Sequence, residues 1–161
     1  MLYGRVDIRA KLPTGQGIWP ALWMLGANLD TKGWPACGET DIMELIGKEP
    51  ATSHATVHFG SDFGNHKYTG KAYTLSGEIF NDRFHVFSLV WEHNQLWFYV
   101  DDILFYDFTS QDTQGQPYPF NEPSFFIFNV AIGGQWPGNP DATTVFPQMM
   151  VVDYIRVFEK E

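Results

Sequence analysis

The regular alternation of apolar and polar side chains constrains the fold of this sequence more than any other feature. In residues 3–12 the even-numbered side chains from Val6 onwards are apolar, and the odd-numbered ones from Arg5 onwards are charged. Successive side chains of a β-strand point to opposite faces, so this segment is predicted to be a strand with one buried face. The apolar positions are Val6, Ile8, Ala10 and Leu12.

Short segments of similar character follow, separated by clusters of Gly, Pro, Asn and Asp. No window shows the periodicity of a convincing amphipathic helix. Many short strands without helices between them predict an antiparallel β-sandwich or barrel. The sequence has no linker or internal repeat, so residues 1–161 are expected to form a single domain. The further predicted strands are 18–25, 38–46, 54–60, 84–92, 95–100, 103–108, 124–132 and 149–158.

The composition narrows the range of partners. The net charge is −9, and the ten Lys and Arg residues form no cluster, so no nucleic-acid partner is expected. No stretch of about 18 apolar residues occurs, so no membrane span is expected either. Aromatic residues make up 17% of the chain, which leaves a few Trp side chains free to stack on a ligand.

Three acids, Glu39, Asp41 and Glu44, lie within six residues of an otherwise apolar strand. In a regular strand Glu39 and Asp41 share a face, and Glu44 points to the other one. A β-bulge at Ile42 and Met43 would return Glu44 to the face of the other acids and leave both apolar side chains in the core. Burying Glu44 alone would cost on the order of several kcal/mol, so we predict the bulge.

Carboxyl groups arranged in this way can hydrolyse a glycosidic bond. Glu39 and Glu44 are predicted to approach to about 5–5.5 Å, which is the separation found in retaining glycosidases. Asp41 lies between them, can hydrogen-bond Glu39, and is expected to raise at least one pKa so that one carboxyl stays protonated. The alternative interpretation is a solvated acidic face without a catalytic role.

The segments around the acids favour the catalytic interpretation. The acid strand resembles the catalytic signature of glycoside hydrolase family sixteen, in the bulged form of its laminarinases. Other segments resemble laminarinase blocks in the same order along the chain. They are residues 3–6 (YGRV), 11–13 (KLP), 19–24 (WPALWM), 56–58 (TVH), 98–101 (FYVD), 129–138 (NVAIGGQWPG) and 152–157 (VDYIRV).

The resemblance implies an all-β jelly roll of the concanavalin-like type, with a glucan bound along its concave sheet. It also implies a retaining endo-hydrolase of β-1,3-glucan with Glu39 as nucleophile, Asp41 as its partner and Glu44 as general acid/base. No cofactor is expected for catalysis. The alternatives are a mixed-linkage glucanase or galactanase of the same family, or an inactive carbohydrate-binding remnant.

Six further residues are candidates for substrate binding. Trp side chains can stack on sugar rings, although core packing is the alternative for each of them. Trp34 and Trp136 lie in loop-like segments and are therefore the better platforms. The resemblance implies a hydrogen bond from His58 near the acid/base and a cleft position for Asn129. The candidates are Trp19, Trp23, Trp34, His58, Asn129 and Trp136.

Metal binding is expected at one position at most. His54 and His58 share a face of their strand, but no third ligand with a matching spacing is present. Asp153 lies in the apolar final strand, where an unpaired carboxylate is costly. The resemblance implies a structural calcium ion at Asp153, far from the catalytic acids.

The resemblance has one gap at the amino-terminal end. Laminarinase domains begin before the block that starts here at Tyr3, so the family's amino-terminal strands are expected to be missing from this chain. Open sheet edges would remain, and we expect self-association through them. Secretion is implied by the family alone, because the chain shows no recognisable signal peptide.

Overall fold

The structure is a computed structural model, and it describes residues 1–159. Its ten strands form two five-stranded antiparallel sheets that pack face to face. This arrangement confirms the predicted antiparallel β-sandwich. The strands are β1 Gly4–Lys11, β2 Ile18–Gly26, β3 Glu39–Glu44, β4 Thr52–Phe59, β5 Lys67–Thr74, β6 His85–Glu92, β7 Gln95–Val100, β8 Ile103–Thr109, β9 Ser124–Ile132 and β10 Val151–Phe158.

The three acids all belong to one of the two sheets, which we call the acid sheet. Its strand order is β5-β4-β3-β2-β9, and the order of the opposite sheet is β10-β1-β6-β7-β8. The helices are short: α1 spans Leu29–Lys32, and 3₁₀ helices span Phe63–Asn65 and Ser110–Asp112. Within residues 1–159 no helix is long and apolar enough to cross a membrane.

The core between the sheets follows the alternation seen in the sequence. On β1, Val6, Ile8 and Ala10 are fully buried, as predicted from the period of two. The charged side chains between them lie on the outer face, where they are partly exposed. β1 itself pairs with β10 on one side and β6 on the other, so it lies inside its sheet.

Strand β5 is absent from the sequence prediction. Its eight residues, Lys67–Thr74, are all exposed or only partly buried, because it forms one edge of the acid sheet. An edge strand of this kind has little apolar alternation, and Gly70 interrupts the pattern further. The sequence signal for a strand is therefore weak at this position.

Two edge strands, β9 and β10, lie at the same side of the sandwich. Across the core, β5 contacts β8 and β3 contacts β6. β5 and β8 are thus the edge strands at one side of the sandwich, and the other two edge strands, β9 and β10, face each other at the opposite side. Both strands carry large apolar side chains that are 42–53% exposed. These side chains are Phe125, Ile132, Val151, Ile155, Val157 and Phe158.

Candidate active site

The predicted bulge in β3 is present and determines the geometry of the site. Met43 and Asp41 pair with consecutive residues of β2, so Ile42 is the extra residue. Ile42 and Met43 are 2% and 0% exposed and lie in the core. The bulge thereby brings Glu44 to the face of the acid sheet that carries Glu39 and Asp41.

Glu39 begins β3 and accepts a hydrogen bond from the loop before it. Gly38 precedes it with φ at 82°, and a Cβ there would lie 2.9 Å from Pro119, so this turn requires glycine. The indole Nε1 of Trp34 donates to Glu39 Oε2 over 2.8 Å. Burial, together with repulsion from Asp41, raises the pKa of Glu39 from 4.5 to about 7.

Glu44 ends β3 and has an indole partner of its own. Trp19 Nε1, on β2, donates to Glu44 Oε1 over 3.0 Å. Burial, together with repulsion from Asp41, raises the pKa of Glu44 from 4.5 to about 8. The two glutamates thus have similar surroundings, and burial raises the pKa of both to neutral pH or above.

Asp41 is the most buried of the three acids, with 3% of its surface exposed. Burial raises its pKa as well. The sequence suggested a hydrogen bond to Glu39, but Asp41 Oδ2 has no hydrogen-bonding partner among the described residues. The imidazole of His58 lies close to it, with Nε2 3.4 Å away. Asp41 therefore acts on Glu39 mainly through charge.

His58 lies beside Glu39 and also lines the depression next to Glu44. The sequence analysis placed it near Glu44, whereas β4 pairs His58 with Glu39 and pairs His54 with Glu44. His58 Nε2 is 3.7 Å from Glu39 Oε1. The pairing with Glu39 was not predicted, because the register of β4 depends on the turn between β3 and β4, which the sequence pattern does not fix.

Two aromatic residues beside His58, namely His66 and Tyr68, are missing from the sequence prediction. His66 Nε2 lies 2.9 Å from His58 Nδ1, and the rings of His66 and Tyr68 stack beside the ring of His58. Tyr68 pairs with His58 across β4 and β5, so a prediction of β5 would have found it, whereas His66 precedes β5 in the connecting loop and has no such signal. They extend the site beyond Glu39.

Trp136 lies at the other side of the site, near Glu44. Its ring is 40% exposed and makes edge contacts with Trp19 and His54, at centroid distances of 5.5 and 5.1 Å. A depression of about 430 Å³ is lined by Glu44, Trp136 and residues of β4 and β5, among them His54 and His58, and its volume is within the range of small-molecule sites. A larger cavity of about 760 Å³ lies elsewhere, beside Trp91, and the acids do not line it.

Trp23 and Asn129 complete the same face. β2 pairs Trp23 with Asp41 across the sheet, which puts the indole on the side of the acids. Trp23 Nε1 donates to Asn129 Oδ1 over 2.8 Å, and Asn129 on β9 is exposed. The structure therefore brings together all nine predicted catalytic and substrate-binding residues. Asp153, which was predicted apart from them as a metal ligand, lies on β10 in the opposite sheet.

This constellation agrees with the comparison of the whole chain with known families. The model of the family described as Glycosyl hydrolases family 16 matches residues 1–156. The chain belongs to this family. The single match to the family 16 model includes the acid strand, its partners Trp19 and Trp34, and strand β9.

Individual relatives within family 16 are named as glucanases. Glucan endo-1,3-beta-glucosidase A1 of Niallia circulans is 41% identical, over 99% of this chain and 24% of that protein. The Beta-glucanase of Rhodothermus marinus is 39% identical, over 97% of this chain and 57% of that protein. The chain thus spans about a quarter and about three fifths of these two relatives.

A solved family 16 structure matches over the full chain. The catalytic domain of an endo-1,3-beta-glucanase (laminarinase) from Thermotoga petrophila superposes with a TM-score of 0.94 at 46% identity. The match covers 100% of this chain and 65% of that one. The sandwich seen here is therefore similar to most of a laminarinase catalytic domain.

The calcium site that the family resemblance implied at Asp153 does not fit the structure. Asp153 is exposed on β10 and forms an ion pair with Arg9, with Arg9 Nη1 and Asp153 Oδ2 at 2.5 Å. Calcium requires six to eight oxygen ligands, and a neighbouring guanidinium opposes a second cation. Among residues 1–159, the grouped acidic and histidine side chains lie on β3 and β4, not on β10. The carboxylate is paired with Arg9 and not with the expected cation.

Glu39, Asp41 and His58 form a group that could be interpreted either as a metal site or as acid–base machinery. One donor atom each from Glu39, Asp41 and His58 lies within 4.8 Å of the others, a spacing that a metal ion would also fit. However, Trp34 donates to Glu39, and His58 contacts His66 through its other nitrogen. We assign these three side chains to acid–base chemistry.

Proposed function

We propose that this chain is the catalytic part of a retaining endo-glucanase that cleaves β-1,3-linked glucan. The observation that carries the proposal is the bulge at Ile42. It brings Glu39 and Glu44 to one face, and each carboxyl has one indole donor and a raised pKa. A paired nucleophile and acid need this combination, because one carboxyl must ionise while the other keeps its proton.

The surroundings of the two glutamates assign their roles. Glu39 lies beside His58, whose positive charge favours the carboxylate form, and its pKa is the lower of the two. Glu44 has no comparably close cation among the described residues, and its pKa is near 8. Glu39 therefore acts as the nucleophile and Glu44 as the general acid/base, as the family resemblance also implied.

The reaction proceeds in two displacements. In the first, a Glu39 carboxylate oxygen bonds to the anomeric carbon, the glycosidic C–O bond breaks, and the Glu44 proton passes to the leaving oxygen. In the second, the Glu44 carboxylate takes a proton from water, the water oxygen bonds to the anomeric carbon, and the bond to Glu39 breaks. The configuration at the anomeric carbon is retained, and no cofactor takes part.

The substrate is assigned from the relatives and from the rings around the acids. Two of the relatives are named for endo-1,3-β-glucan hydrolysis. Trp34 and Trp136 lie on opposite sides of the acid pair and offer apolar faces to sugar rings. We further propose that residues 1–161 form one catalytic domain, and that it acts outside the cell, where polymeric glucan occurs.

A mixed-linkage glucan is the second candidate substrate. The Rhodothermus marinus relative is named Beta-glucanase, a name that does not specify a linkage. The chemistry of Glu39 and Glu44 would be the same for both polymers. The difference would lie in how the bound chain bends across the Trp side chains.

The test combines product analysis with replacement of each carboxyl. Wild-type protein should release reducing ends from laminarin faster than from lichenan or agarose. Glu39→Gln and Glu44→Gln should each lose nearly all hydrolysis, with the melting transition preserved. A binding protein without turnover would release nothing from any of these polymers.

Azide distinguishes the two roles. With a substrate that has an activated leaving group, Glu39→Ala plus azide should form the α-glycosyl azide, because azide replaces the nucleophile. Glu44→Ala plus azide should form the β-anomer by attack on the covalent intermediate. The opposite pair of anomers would exchange the assignments of Glu39 and Glu44.

A further inference from the structure

His58 contacts groups on both sides of its ring. Its Nε2 lies 3.4 Å from Asp41 Oδ2 and 3.7 Å from Glu39 Oε1. Its Nδ1 lies 2.9 Å from Nε2 of His66, which follows the 3₁₀ helix Phe63–Asn65 in the β4–β5 connection. His58 therefore links the acid group to a histidine that belongs to a loop.

We propose that His66 is a positioning residue that fixes the ring and the proton of His58 beside Glu39. The proposal rests on the proposed function, in which Glu39 must ionise to act as nucleophile. His66 would act on the reaction only through His58.

The chemistry of two imidazoles limits how the pair can share protons. A hydrogen bond between Nδ1 of His58 and Nε2 of His66 requires a proton on one of these nitrogens and a lone pair on the other. If both rings were charged, two N–H groups would face each other. The pair therefore holds one positive charge at most while this contact persists.

The surroundings place that charge on His58. Burial alone would lower its pKa, but contact with Asp41 and attraction to the carboxylates outweigh burial, so the pKa of His58 is raised. Burial and then repulsion from His58 lower the pKa of His66. His58 thus donates its Nδ1 proton to a neutral His66 and directs its Nε2 proton towards Asp41 and Glu39.

The titratable groups that face these rings come from β3 and β5. From β3, the acids Glu39, Asp41 and Glu44 act on His58. From β5, the Tyr68 ring stacks on His58 and on His66, at 5.6 and 5.9 Å between centroids. Without the acceptor on His66, the His58 imidazolium would lose its hydrogen-bonded partner and its fixed orientation, and Glu39 would lose part of the charge that favours its ionisation.

A purely structural role for His66 makes a different prediction. Its ring centroid is 4.5 Å from that of Trp34, which itself donates to Glu39. Under this alternative the flat ring matters and the nitrogen does not. His66→Phe keeps a ring without an acceptor, whereas His66→Gln keeps an acceptor oxygen near the place of Nε2 without a ring.

The experiment measures kcat and KM on laminarin from pH 5 to 9 for the wild type and both variants. In His66→Phe we expect the acid limb to move up by about one pH unit and kcat at pH 6 to fall about tenfold, with KM within about twofold. His66→Gln should stay within about threefold of the wild type. His93→Phe, in the turn between β6 and β7 of the opposite sheet, is the control for exchanging a histidine for phenylalanine.

Imidazole ¹⁵N NMR provides a readout that does not depend on activity. In the wild type, His58 should titrate at higher pH than His66, and in His66→Phe the His58 titration should move to lower pH. The reverse order in the wild type would overturn the proposal even if His66→Phe failed to fold. Equal losses in both variants, or a larger loss in His66→Gln, would overturn it as well. A wild type that hydrolyses no glucan would refute the proposed function, and the titration would still decide the His58–His66 contact.

Discussion

Replacing Trp34 and Trp19 by Phe, one at a time, is expected to move different limbs of the pH profile of kcat/KM. Trp34 donates one hydrogen bond to Glu39, and Trp19 donates one to Glu44, over 2.8 and 3.0 Å. Both bonds favour the ionised carboxylate and so lower the pKa of their glutamate. Phe keeps an aromatic ring and removes the donor.

The size of the shift follows from the strength of one hydrogen bond. A hydrogen bond to a charged group contributes about 1.5–3 kcal/mol, and about 1.4 kcal/mol corresponds to one pKa unit. The side chain of Glu39 is 19% exposed, so water replaces part of the lost bond and the lower end of this range applies. The pKa of Glu39 should rise from about 7 to about 8 in Trp34→Phe.

The direction of each change depends on the role of the carboxyl. Glu39 must be ionised to attack, so raising its pKa moves the acid limb to higher pH and reduces kcat/KM at pH 6 about tenfold. Glu44 must be protonated to act as an acid, so Trp19→Phe should move the basic limb up by a similar amount and increase kcat/KM near pH 9. Stopped assays of reducing ends across pH 5–10 measure both limbs. A shift of the basic limb in Trp34→Phe would refute the assignment of Glu39.

Two further outcomes concern surfaces around the site and the sandwich. Trp136→Ala should raise KM for long glucans about three- to tenfold with kcat nearly unchanged, because stacking acts equally on the ground and transition states. An unchanged KM would limit this ring to packing on Trp19 and His54. The chain should self-associate at low micromolar concentration in light scattering, through the exposed apolar edges of β9 and β10. Ile155→Lys should weaken this association, whereas a wild type that is monomeric with a cooperative melt would contradict it.

The sequence predicted the features that local polarity determines. The conflict between a buried strand face and the charge of Glu44 was enough to predict the bulge at Ile42, which the β2–β3 register confirms. The strands with apolar alternation were predicted to within a few residues. β5 was missed because an exposed edge strand has no such alternation.

Contacts between distant segments could not be predicted in the same way. Asp153 was interpreted as a calcium ligand because its actual partner, Arg9, lies 144 residues earlier in the chain. His58 was expected near Glu44, and its pairing with Glu39 could not be predicted, because a shift of the β4 register by a few residues changes its neighbours. His66 was missed because its contact with His58 depends on the path of the loop after β4.

Burial of Glu44 should also make the wild-type protein less stable at neutral pH than an inactive variant that has a neutral side chain at this position. In the unfolded chain Glu44 ionises near its ordinary pKa of 4.5, and in the folded protein near 8. Between these values the folded state holds a proton that the unfolded state releases, so the contribution of Glu44 to stability is complete below about pH 4.5 and is lost as the pH rises towards 8. At pH 7 the loss is about 3 kcal/mol.

Glu44→Gln removes this penalty, because glutamine is neutral at every pH and its Oε1 can still accept the hydrogen bond from Trp19. We expect Glu44→Gln to be inactive and, at pH 7, more stable than the wild type by about 3 kcal/mol, with the difference disappearing near pH 4. Urea unfolding at pH 4, 5.5 and 7 measures the difference, and Glu49→Gln, at an exposed position, controls for the loss of one negative charge. Equal stability of Glu44→Gln and wild type at pH 7 would show that Glu44 ionises in the folded protein without cost. In that case its proton would not be available for the leaving group at neutral pH, and the acid/base role would have to pass to another side chain.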